Sequence, residues 1–186
     1  MADAATMGIR ILPPDINEGG IGFTPLITSD IESDGSCLGG IRYALTAIKG
    51  IGLNVVKDIV DERNRGGKYR SLSDFLERLY LYRKESCNKR VIENLIHAGA
   101  LDCLGGYRKQ YLHSYAGILE QVQENNSGIA GQMSLFDFAE PAAKEKYLGG
   151  LPDTGEFDRQ LILENEKEVL GIYISGHNLT DRKSVV

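Results

Sequence analysis

Residues 45–56 read LTAIKGIGLNVV, and this stretch decides the fold that we expect for the chain. Apolar residues stand at helical spacing on both sides of Gly50-Ile51-Gly52, so the pattern predicts two helices joined by a tight turn. Glycine tolerates positive φ and has no β-carbon, which lets other groups approach the backbone closely. Such a turn and the helix N-terminus after it would present several backbone N–H groups to an anion. A plain helical hairpin with a glycine C-cap fits the same pattern, and spacing alone favours neither interpretation.

The composition is that of a soluble globular protein. The chain has 186 residues, of which 42% are hydrophobic and 25% are charged. No apolar run reaches membrane-spanning length and no signal-peptide pattern is present, so we expect a cytoplasmic protein without membrane contact. The three cysteines are widely spaced and form no C-x-x-C pair, so neither a disulfide framework nor a zinc site is expected.

The charge is unevenly distributed along the chain. Residues 41–110 contain 14 Lys and Arg against 8 Asp and Glu, a local charge of +6, although the whole chain carries −5. This basic block surrounds the glycine turn and favours a DNA phosphate as the anion that the turn would bind. A solvated helical surface would produce the same charge, so the block supports this interpretation without deciding it.

The remaining sequence predicts a mainly helical fold with an irregular N-terminal segment and a flexible C-terminal connector. Residues 1–35 contain only short apolar runs, interrupted by Pro13-Pro14 and turn residues, and residues 33–40 form a glycine-rich loop. Helices are expected at 41–48, 54–65, 74–81 with Ser71 or Ser73 as N-cap, 89–97 after Asn88, 107–124 and 158–170. Ala98-Gly99-Ala100 and a short turn at 102–104 repeat the first hairpin without its second glycine.

Residues 125–157 lose helical periodicity and are rich in Asn, Ser, Gly and Pro, which is typical of a connector. Within them lies QMSLF, residues 132–136. Large apolar side chains in a polar linker favour a partner surface, while a short strand folded back on the same protein is the alternative. The last residues, DRKSVV at 181–186, fit nothing before them and are interpreted as a non-native tail.

Six stretches carry a resemblance to a known family. They are MGIRILPPDIN, IRYALTAIKGIG, SLSDFLERL, NKRVIENLIHAGALDCLGG, GQMSLFD and ENEKEVLGIYISGHNL, and together they extend over nearly the whole chain. In order and spacing they resemble the C family of bacterial replicative DNA polymerases, the alpha subunits of DNA polymerase III. Two positions depart from that family: Val56, where many members have Ala, and Asn178, where Pro is usual.

The resemblance implies that the chain is an internal fragment of a DNA-directed DNA polymerase, a nucleotidyltransferase. Residues 1–35 would end the fingers domain, and residues 36–124 would form a tandem helix-hairpin-helix DNA-binding domain. Residues 125–157 would be a clamp-binding connector, and residues 158–180 a helix leading toward an OB-fold domain. The catalytic palm, which would use Mg²⁺, and the contacts with other replisome subunits would lie elsewhere. We therefore expect no catalytic residue, metal or cofactor here, and no activity of the fragment alone.

The resemblance also implies two binding sites. The first would hold duplex primer–template DNA without reading its sequence, through Lys49, Gly50, Ile51, Gly52, Leu53, Lys57, Lys89, Arg90 and Gly99. The second would dock on the sliding clamp (the beta subunit), through Gln132, Met133, Ser134, Leu135 and Phe136. Since the second hairpin lacks one glycine, either Lys89 and Arg90 compensate for it or this hairpin only braces the first.

Two rival functions remain open at the level of sequence. A helix-hairpin-helix DNA glycosylase would need a catalytic aspartate downstream of the hairpin, for which Asp74 is the candidate, together with an aromatic base pocket that the sequence does not indicate. A non-enzymatic repair scaffold would share the hairpins but not the QMSLF motif. The histidines, His97, His113 and His177, are scattered and are expected to be structural or surface residues.

Overall fold

The computed structural model describes residues 10–31, 37–127, 151 and 153–175. Five α-helices dominate these ranges and confirm the mainly helical fold: α1 (Leu53–Gly66), α2 (Leu72–Tyr82), α3 (Lys89–His97), α4 (Arg108–Ser127) and α5 (Arg159–Leu170). Short 3₁₀ turns lie at Leu45–Ala47, Lys84–Ser86 and Asp102–Leu104. None of the helices in these ranges has the length and apolar character that crossing a membrane requires.

Side-chain caps explain where two of these helices begin. Ser71 Oγ accepts the Asp74 N–H at 3.1 Å at the start of α2, and Asn88 Oδ1 accepts the Val91 N–H at 3.1 Å at the start of α3. Serine and asparagine are preferred at this position because their oxygens satisfy a backbone donor that has no partner within the helix. The prediction for α3 is confirmed at both ends, and of the two serines proposed for α2, Ser71 is the cap.

The N-terminal residues form a small sheet with the residues that precede the glycine turn. Its strands, in the spatial order β1-β3-β2, are β1 (Arg10–Leu12), β2 (Thr24–Ile31) and β3 (Cys37–Arg42). Ile41 of β3 pairs with Ile11 of the parallel strand β1 and with Pro25 of the antiparallel strand β2. Short paired strands therefore lie within the N-terminal segment, and the loop predicted over residues 33–40 is strand from Cys37 onward.

The helix predicted over residues 41–48 is wrong. Its first residues continue β3, and only Leu45–Ala47 forms a single 3₁₀ turn. The Tyr43 N–H donates to the Leu12 carbonyl at 3.0 Å, and the Leu45 N–H also donates to a carbonyl of the N-terminal segment. Because these donors pair outside their own segment, they are unavailable for the i to i−4 bonds of an α-helix.

One hydrophobic core extends through both hairpin regions and the C-terminal helix. The largest completely buried side chains are Tyr111, Phe75, Ile16, Leu45, Ile48, Ile59, Leu76, Leu79, Ile92, Leu95, Ile96 and Leu101. Tyr111 and Tyr115 of α4 are buried, which confirms their prediction as core residues rather than a base-stacking platform. Each fully buried aliphatic or aromatic side chain contributes about 1.5–3 kcal/mol of transfer free energy, so this core holds the hairpins in fixed positions.

The N-terminal segment packs on this helical core. Ile16 is completely buried, and its N–H donates to the Ala100 carbonyl at 3.0 Å. Arg63 of α1 donates from Nη1 to the Ile16 carbonyl at 2.8 Å. The boundary predicted after residue 35 falls between two paired strands of one sheet, and the division into domains there stays a prediction.

The end of helix α5 also packs against the core. The Tyr43 hydroxyl donates to the Leu170 carbonyl at 2.8 Å, and the Lys49 N–H donates to the Val169 carbonyl at 2.8 Å. Val169 and Leu170 are themselves buried. The end of α5 is therefore fixed directly beside the glycine turn.

Candidate nucleic-acid interface

The first hairpin, residues 45–66, consists of the 3₁₀ turn, a turn at residues 48–52 and helix α1. Gly50 has φ of +77°, a conformation that side chains with a β-carbon adopt only at a cost. Ile51 is buried in the core and its N–H donates to the Ile48 carbonyl at 3.2 Å. Ile51 therefore anchors the turn, as predicted from the sequence, but its N–H is already used within the turn.

Helix α1 begins without a side-chain cap. Gly52 is the N-cap residue, with φ −78° and ψ 154°, and among the described residues no side chain caps the helix there. The N–H groups of the first helical residues have no partner within the helix, and the helix dipole places partial positive charge there. A β-carbon on Gly52 would meet nothing within 4 Å, and Leu53 is 48% exposed. The surface around these donors is open to an incoming anion.

Three cations of the first hairpin and of helix α3 have no neutralising partner among the described residues. Lys49, Lys57 and Arg90 are exposed, and none of them forms an ion pair within the described ranges. Other basic residues of the block are paired; Arg78, for example, contacts Glu62 at 3.1 Å. Part of the positive charge of the basic block is therefore uncompensated, and the cations at the first hairpin belong to this part.

Helix α3 reaches the same turn. The Asn94 side chain donates from Nδ2 to the Lys49 carbonyl at 2.7 Å. A β-carbon on Gly50 would lie 2.7 Å from Asn94 Nδ2 and 3.1 Å from Arg90 Nε. The sequence placed Arg90 beside the second hairpin, whereas the structure places it at the first. Asn94 was missed, although it follows Arg90 by one helical turn, a spacing that puts both on one face.

Lys89 occupies a different environment from Arg90. Its ammonium group lies 3.8 Å from Glu93 Oε1, although its side chain is largely exposed. Glu93 also accepts a hydrogen bond from the Tyr115 hydroxyl at 2.7 Å. Lys89 therefore has a carboxylate neighbour, which reduces the field that it can offer to an anion.

The second hairpin, residues 89–104, consists of α3, a turn at residues 98–101 and the 3₁₀ turn that follows. Gly99 has φ of +75°, nearly that of Gly50. Unlike Gly50, Gly99 is buried, and a β-carbon there would overlap the Arg108 guanidinium and lie 2.9 Å from Asp102 Oδ2. The protein's own side chains fill the space around this turn.

Arg108 is the centre of a buried charge network at the second hairpin. It is 6% exposed and contacts Asp102 Oδ2 at 2.7 Å and Glu166 Oε1 at 2.9 Å. It also donates to the His97 carbonyl at 3.3 Å. Burial opposes the charge on Arg108, but the hydrogen bonds and charges of both carboxylates outweigh it and raise its pKa. These carboxylates neutralise Arg108 from within the protein.

A further carboxylate occupies the N-terminus of α4. Glu156 accepts the Arg108 N–H at 2.9 Å and the Lys109 N–H at 3.2 Å. This is the interaction that an anion would make with an uncapped helix. The donors that α4 presents beside the second hairpin are therefore already satisfied, in contrast to those of α1.

Comparison with known proteins identifies the family to which the chain belongs. The sequence pattern described as the helix-hairpin-helix motif matches residues 8–111, more than half of the chain. The chain belongs to the helix-hairpin-helix motif family. The match includes both hairpins and the described strands that pack against them.

Relatives of this helix-hairpin-helix chain are similar over nearly its whole length. DNA polymerase III subunit alpha of Mycobacterium leprae is 36% identical over 180 residues, which is 96% of this chain and 14% of that protein. The subunits of Vibrio cholerae and Neisseria meningitidis are 35% and 38% identical over 94% of this chain, and it again covers 14% of each. The resemblance drawn from the sequence is confirmed, and the chain spans about one seventh of the length of these relatives.

Asp74, the candidate catalytic residue of a glycosylase, has a structural environment in this helix-hairpin-helix fold. Its carboxylate accepts the Arg70 N–H at 2.9 Å and contacts Arg78 at 3.4 Å. An open groove in the described structure contains one aromatic residue, Tyr80, and does not include Asp74. The described ranges contain no group of three His, Cys, Asp or Glu residues that could hold a metal ion. In the described structure the Asp74 carboxylate is thus held by a backbone donor and an arginine at the start of α2.

The predicted clamp-binding residues, Gln132, Met133, Ser134, Leu135 and Phe136, lie outside the described residues, as does His177. Of the residues predicted to bind DNA, the structure brings together Lys49, Gly50, Ile51, Gly52, Leu53 and Arg90, with Lys57 farther along α1. Gly99 is separated from this group by burial.

Proposed function

We propose that this chain binds the backbone of duplex DNA without sequence preference, as part of a replicative DNA polymerase. The observation that carries the proposal is the first-hairpin turn, where the N-terminus of α1 has no side-chain cap and the neighbouring cations form no ion pair with the described residues. Backbone N–H groups and lysines bind phosphate oxygens but carry no base information. A polymerase must copy any template, so contacts that do not read the base sequence suit the DNA polymerase subunits to which this chain is similar.

The donors of this site are assigned to individual groups. The N–H groups of Leu53, Asn54 and Val55, at the start of α1, would donate to phosphate oxygens, and Lys49 and Lys57 would add positive charge. Ile51 would hold the turn in the core without donating. Lys89, beside Glu93, and the buried Gly99 would contribute least.

Fluorescence anisotropy with a labelled duplex tests this site. We expect a dissociation constant in the range of about 10⁻⁴–10⁻⁶ M at physiological salt, with log K falling linearly as log salt rises. Lys49→Glu should weaken binding and lower the magnitude of the salt slope by about 0.9, the value for one phosphate contact. Arg159→Glu, at the far end of α5 from Val169, is the charge-matched control. Equal affinity and slope for Lys49→Glu and wild type would rule out the first hairpin as the contact.

The activity of a polymerase would belong to a longer protein. The sequence has no paired-aspartate motif in an apolar strand, so we expect this chain to extend no primer when it is incubated with primed template, nucleotides and Mg²⁺. The Mg²⁺ of the parent polymerase would be bound in its palm, and its activity would be exerted in the cytoplasm with other replisome subunits. Incubation with damaged duplex separates this proposal from a glycosylase, which would release a base.

We also propose that residues 132–136 dock on the sliding clamp. Leu135 and Phe136 would enter an apolar pocket, at about 1.5–3 kcal/mol each when fully buried, and Gln132 would donate and accept hydrogen bonds at its rim. Ordering a linker opposes this gain, so modest affinity is expected. Clamp and polymerase share one DNA, and the resulting effective concentration would convert modest affinity into processive synthesis.

A peptide of residues 132–136, titrated with the sliding clamp, tests the docking proposal directly. Calorimetry or anisotropy should detect binding by the native peptide. The same peptide with Leu135→Ala and Phe136→Ala should bind much more weakly because both apolar anchors are lost. Equal binding by the two peptides would refute the assignment.

A further inference from the structure

Two side chains of α3 lie against the first-hairpin turn, although α3 belongs to the second hairpin. Asn94 Nδ2 is 2.7 Å from the Lys49 carbonyl oxygen, across 45 positions of sequence. Arg90 Nε would be 3.1 Å, and Arg90 Nη2 3.6 Å, from a β-carbon placed on Gly50. The absence of a side chain on Gly50 therefore makes room for both residues of α3.

The Asn94 contact holds a peptide group that the turn itself leaves free. The Lys49 carbonyl immediately precedes Gly50, whose φ of +77° sets the direction of the chain toward α1. On the other side of Lys49, its N–H is held by the Val169 carbonyl at 2.8 Å. Helices α3 and α5 thus fix the backbone of Lys49 from two sides, and with it the orientation of the turn.

Arg90 differs from arginines such as Arg78 and Arg108, whose side chains contact backbone or carboxylate groups. Its side chain is exposed and makes no hydrogen bond or ion pair with the residues that the structure describes. Arginine has a planar fork of N–H donors that suits a phosphate group, and it keeps its charge at all physiological pH values. Its Nε and Nη2 atoms lie beside Gly50, so this donor group is next to the turn that leads into α1.

We propose that α3 completes the phosphate site of the first hairpin. Arg90 contacts the same DNA phosphate as the N–H groups at the start of α1, and Asn94 is a positioning residue that holds the Lys49–Gly50 turn. The inference rests on the proposed function. It adds Arg90, a side chain of the second hairpin, to the groups that bind the phosphate. The second hairpin thus serves DNA binding through the side chains of α3 rather than through its own glycine turn.

The two roles predict different dependences on salt. Arg90→Ala removes one charge at the phosphate, so the slope of log K against log salt should fall in magnitude by about 0.9, and the affinity at 0.1 M salt by about eightfold. Arg90→Lys should keep most of the slope. Asn94→Ala removes no charge, so it should weaken binding by about 2- to 10-fold, the effect of one hydrogen bond, without changing the slope.

Matched controls exclude general effects of the substitutions. Arg159→Ala removes an exposed arginine distant from the turn, and Asn64→Ala removes an exposed helical asparagine near the end of α1. Neither should change the affinity for the labelled duplex by more than the measurement error. Amide hydrogen exchange tests whether Asn94 holds the turn in place. Asn94→Ala should speed exchange of the Ile51 N–H, which is hydrogen-bonded within the turn, whereas Asn64→Ala should not.

The experiment is fluorescence anisotropy of a labelled duplex with the whole chain, over a series of salt concentrations. If Arg90→Ala keeps the salt slope of the wild type, Arg90 does not contact the phosphate. If Asn94→Ala binds as tightly as the control Asn64→Ala, Asn94 does not position the turn. Lys49→Glu separates the two proposals. If it weakens binding while the α3 variants do not, the DNA site stands without α3; if it also has no effect, the proposed function itself fails. If Asn94→Ala unfolds the chain, the slopes of Arg90→Ala and Arg90→Lys still test the shared phosphate.

Discussion

The two hairpin turns have nearly the same backbone but opposite surroundings. Gly50 and Gly99 both have positive φ, at +77° and +75°. Around Gly50 the neighbouring cations form no ion pair within the part of the chain that the structure describes, and the next helix begins without a side-chain cap. Around Gly99, Arg108 is neutralised by two carboxylates, and Glu156 satisfies the first donors of α4. The comparison teaches that glycine spacing determines the shape of such a turn, whereas its neighbours determine whether an anion can reach it.

The largest effect is expected from Arg108→Met at the second hairpin. Glu166 is 0% exposed, and removal of Arg108 would leave its carboxylate buried without a cation. Breaking a buried pair from one side costs about 3–5 kcal/mol, so the free energy of unfolding should fall by this amount. Urea denaturation followed by circular dichroism measures the change.

Two further variants show that the loss comes from the buried charge. Lys89→Met breaks an exposed pair and should cost at most about 0.5 kcal/mol. Adding Glu166→Gln to Arg108→Met should recover part of the stability, because the remaining side chain is neutral. Additive losses in the double variant would contradict the role of Arg108 as the cation that neutralises Glu166.

The next effect contrasts the two glycines of the first hairpin. Gly50→Ala should reduce stability by about 1–2 kcal/mol because of its positive φ, and further because the new β-carbon would overlap Asn94 Nδ2. It should also weaken DNA binding, since Arg90 and Asn94 must move. Gly52→Ala has negative φ and open space around it, so it should lose only the advantage of glycine over alanine as an N-cap, about 0.5 kcal/mol. Urea denaturation and duplex anisotropy on both variants provide the measurement, and equal losses would contradict the contrast.

A smaller effect should separate stability from binding. Gly52→Ser places a hydroxyl at the uncapped N-terminus of α1, where the backbone at φ −78° and ψ 154° suits a serine cap. The free energy of unfolding should rise by a few tenths of a kcal/mol, about the advantage of serine over glycine as an N-cap. DNA affinity should fall, because the hydroxyl takes an N–H group that the phosphate would use. Gly52→Ala is the control that adds no hydroxyl. If Gly52→Ser is more stable than the wild type but binds DNA with unchanged affinity, the N–H groups at the start of α1 are not part of the site.

Sequence reasoning was most successful where the information is local. The caps Ser71 and Asn88, the bounds of α3 and the buried tyrosines of α4 follow from residues close together in sequence. Hairpin positions also follow from glycine spacing, and the family from ordered motifs. The caps and helix bounds depend on interactions within one or two helical turns, and the buried face of a helix shows in its periodicity.

The features that were missed depend on contacts between distant residues. Residues 41–42 were assigned to a helix because nothing local shows that their backbone pairs with the strands β1 and β2. Asn94 lies 45 positions from its partner Lys49, and Glu166 lies 58 positions from Arg108. Single-sequence patterns contain no record of such pairs. These contacts leave the turn at Gly50 open and fill the space around the turn at Gly99, which we call the filled hairpin. The sequence alone therefore could not show that the two hairpins differ in their access to an anion.

The smallest effect concerns pH and the second hairpin. Burial lowers the pKa of His97 below its ordinary value of 6.5, against the raising effect of Glu93 and Glu168, while Arg108 lowers it further. The unfolded chain therefore binds a proton at higher pH than the folded chain. The stability that neutral His97 contributes is complete above about pH 6.5 and is lost as the pH falls from there toward the lowered pKa.

His97→Gln should therefore flatten the dependence of unfolding free energy on pH below about pH 6.5, where the wild type loses this contribution. His113→Gln, on the exposed face of α4, is the matched control and should retain the slope of the wild type. Because His97 lies in the filled hairpin, its protonation should leave the salt slope for DNA unchanged while the chain stays folded. A salt slope that changes with His97 protonation would mean that the filled hairpin also contacts DNA, and the contrast between the two turns would no longer hold.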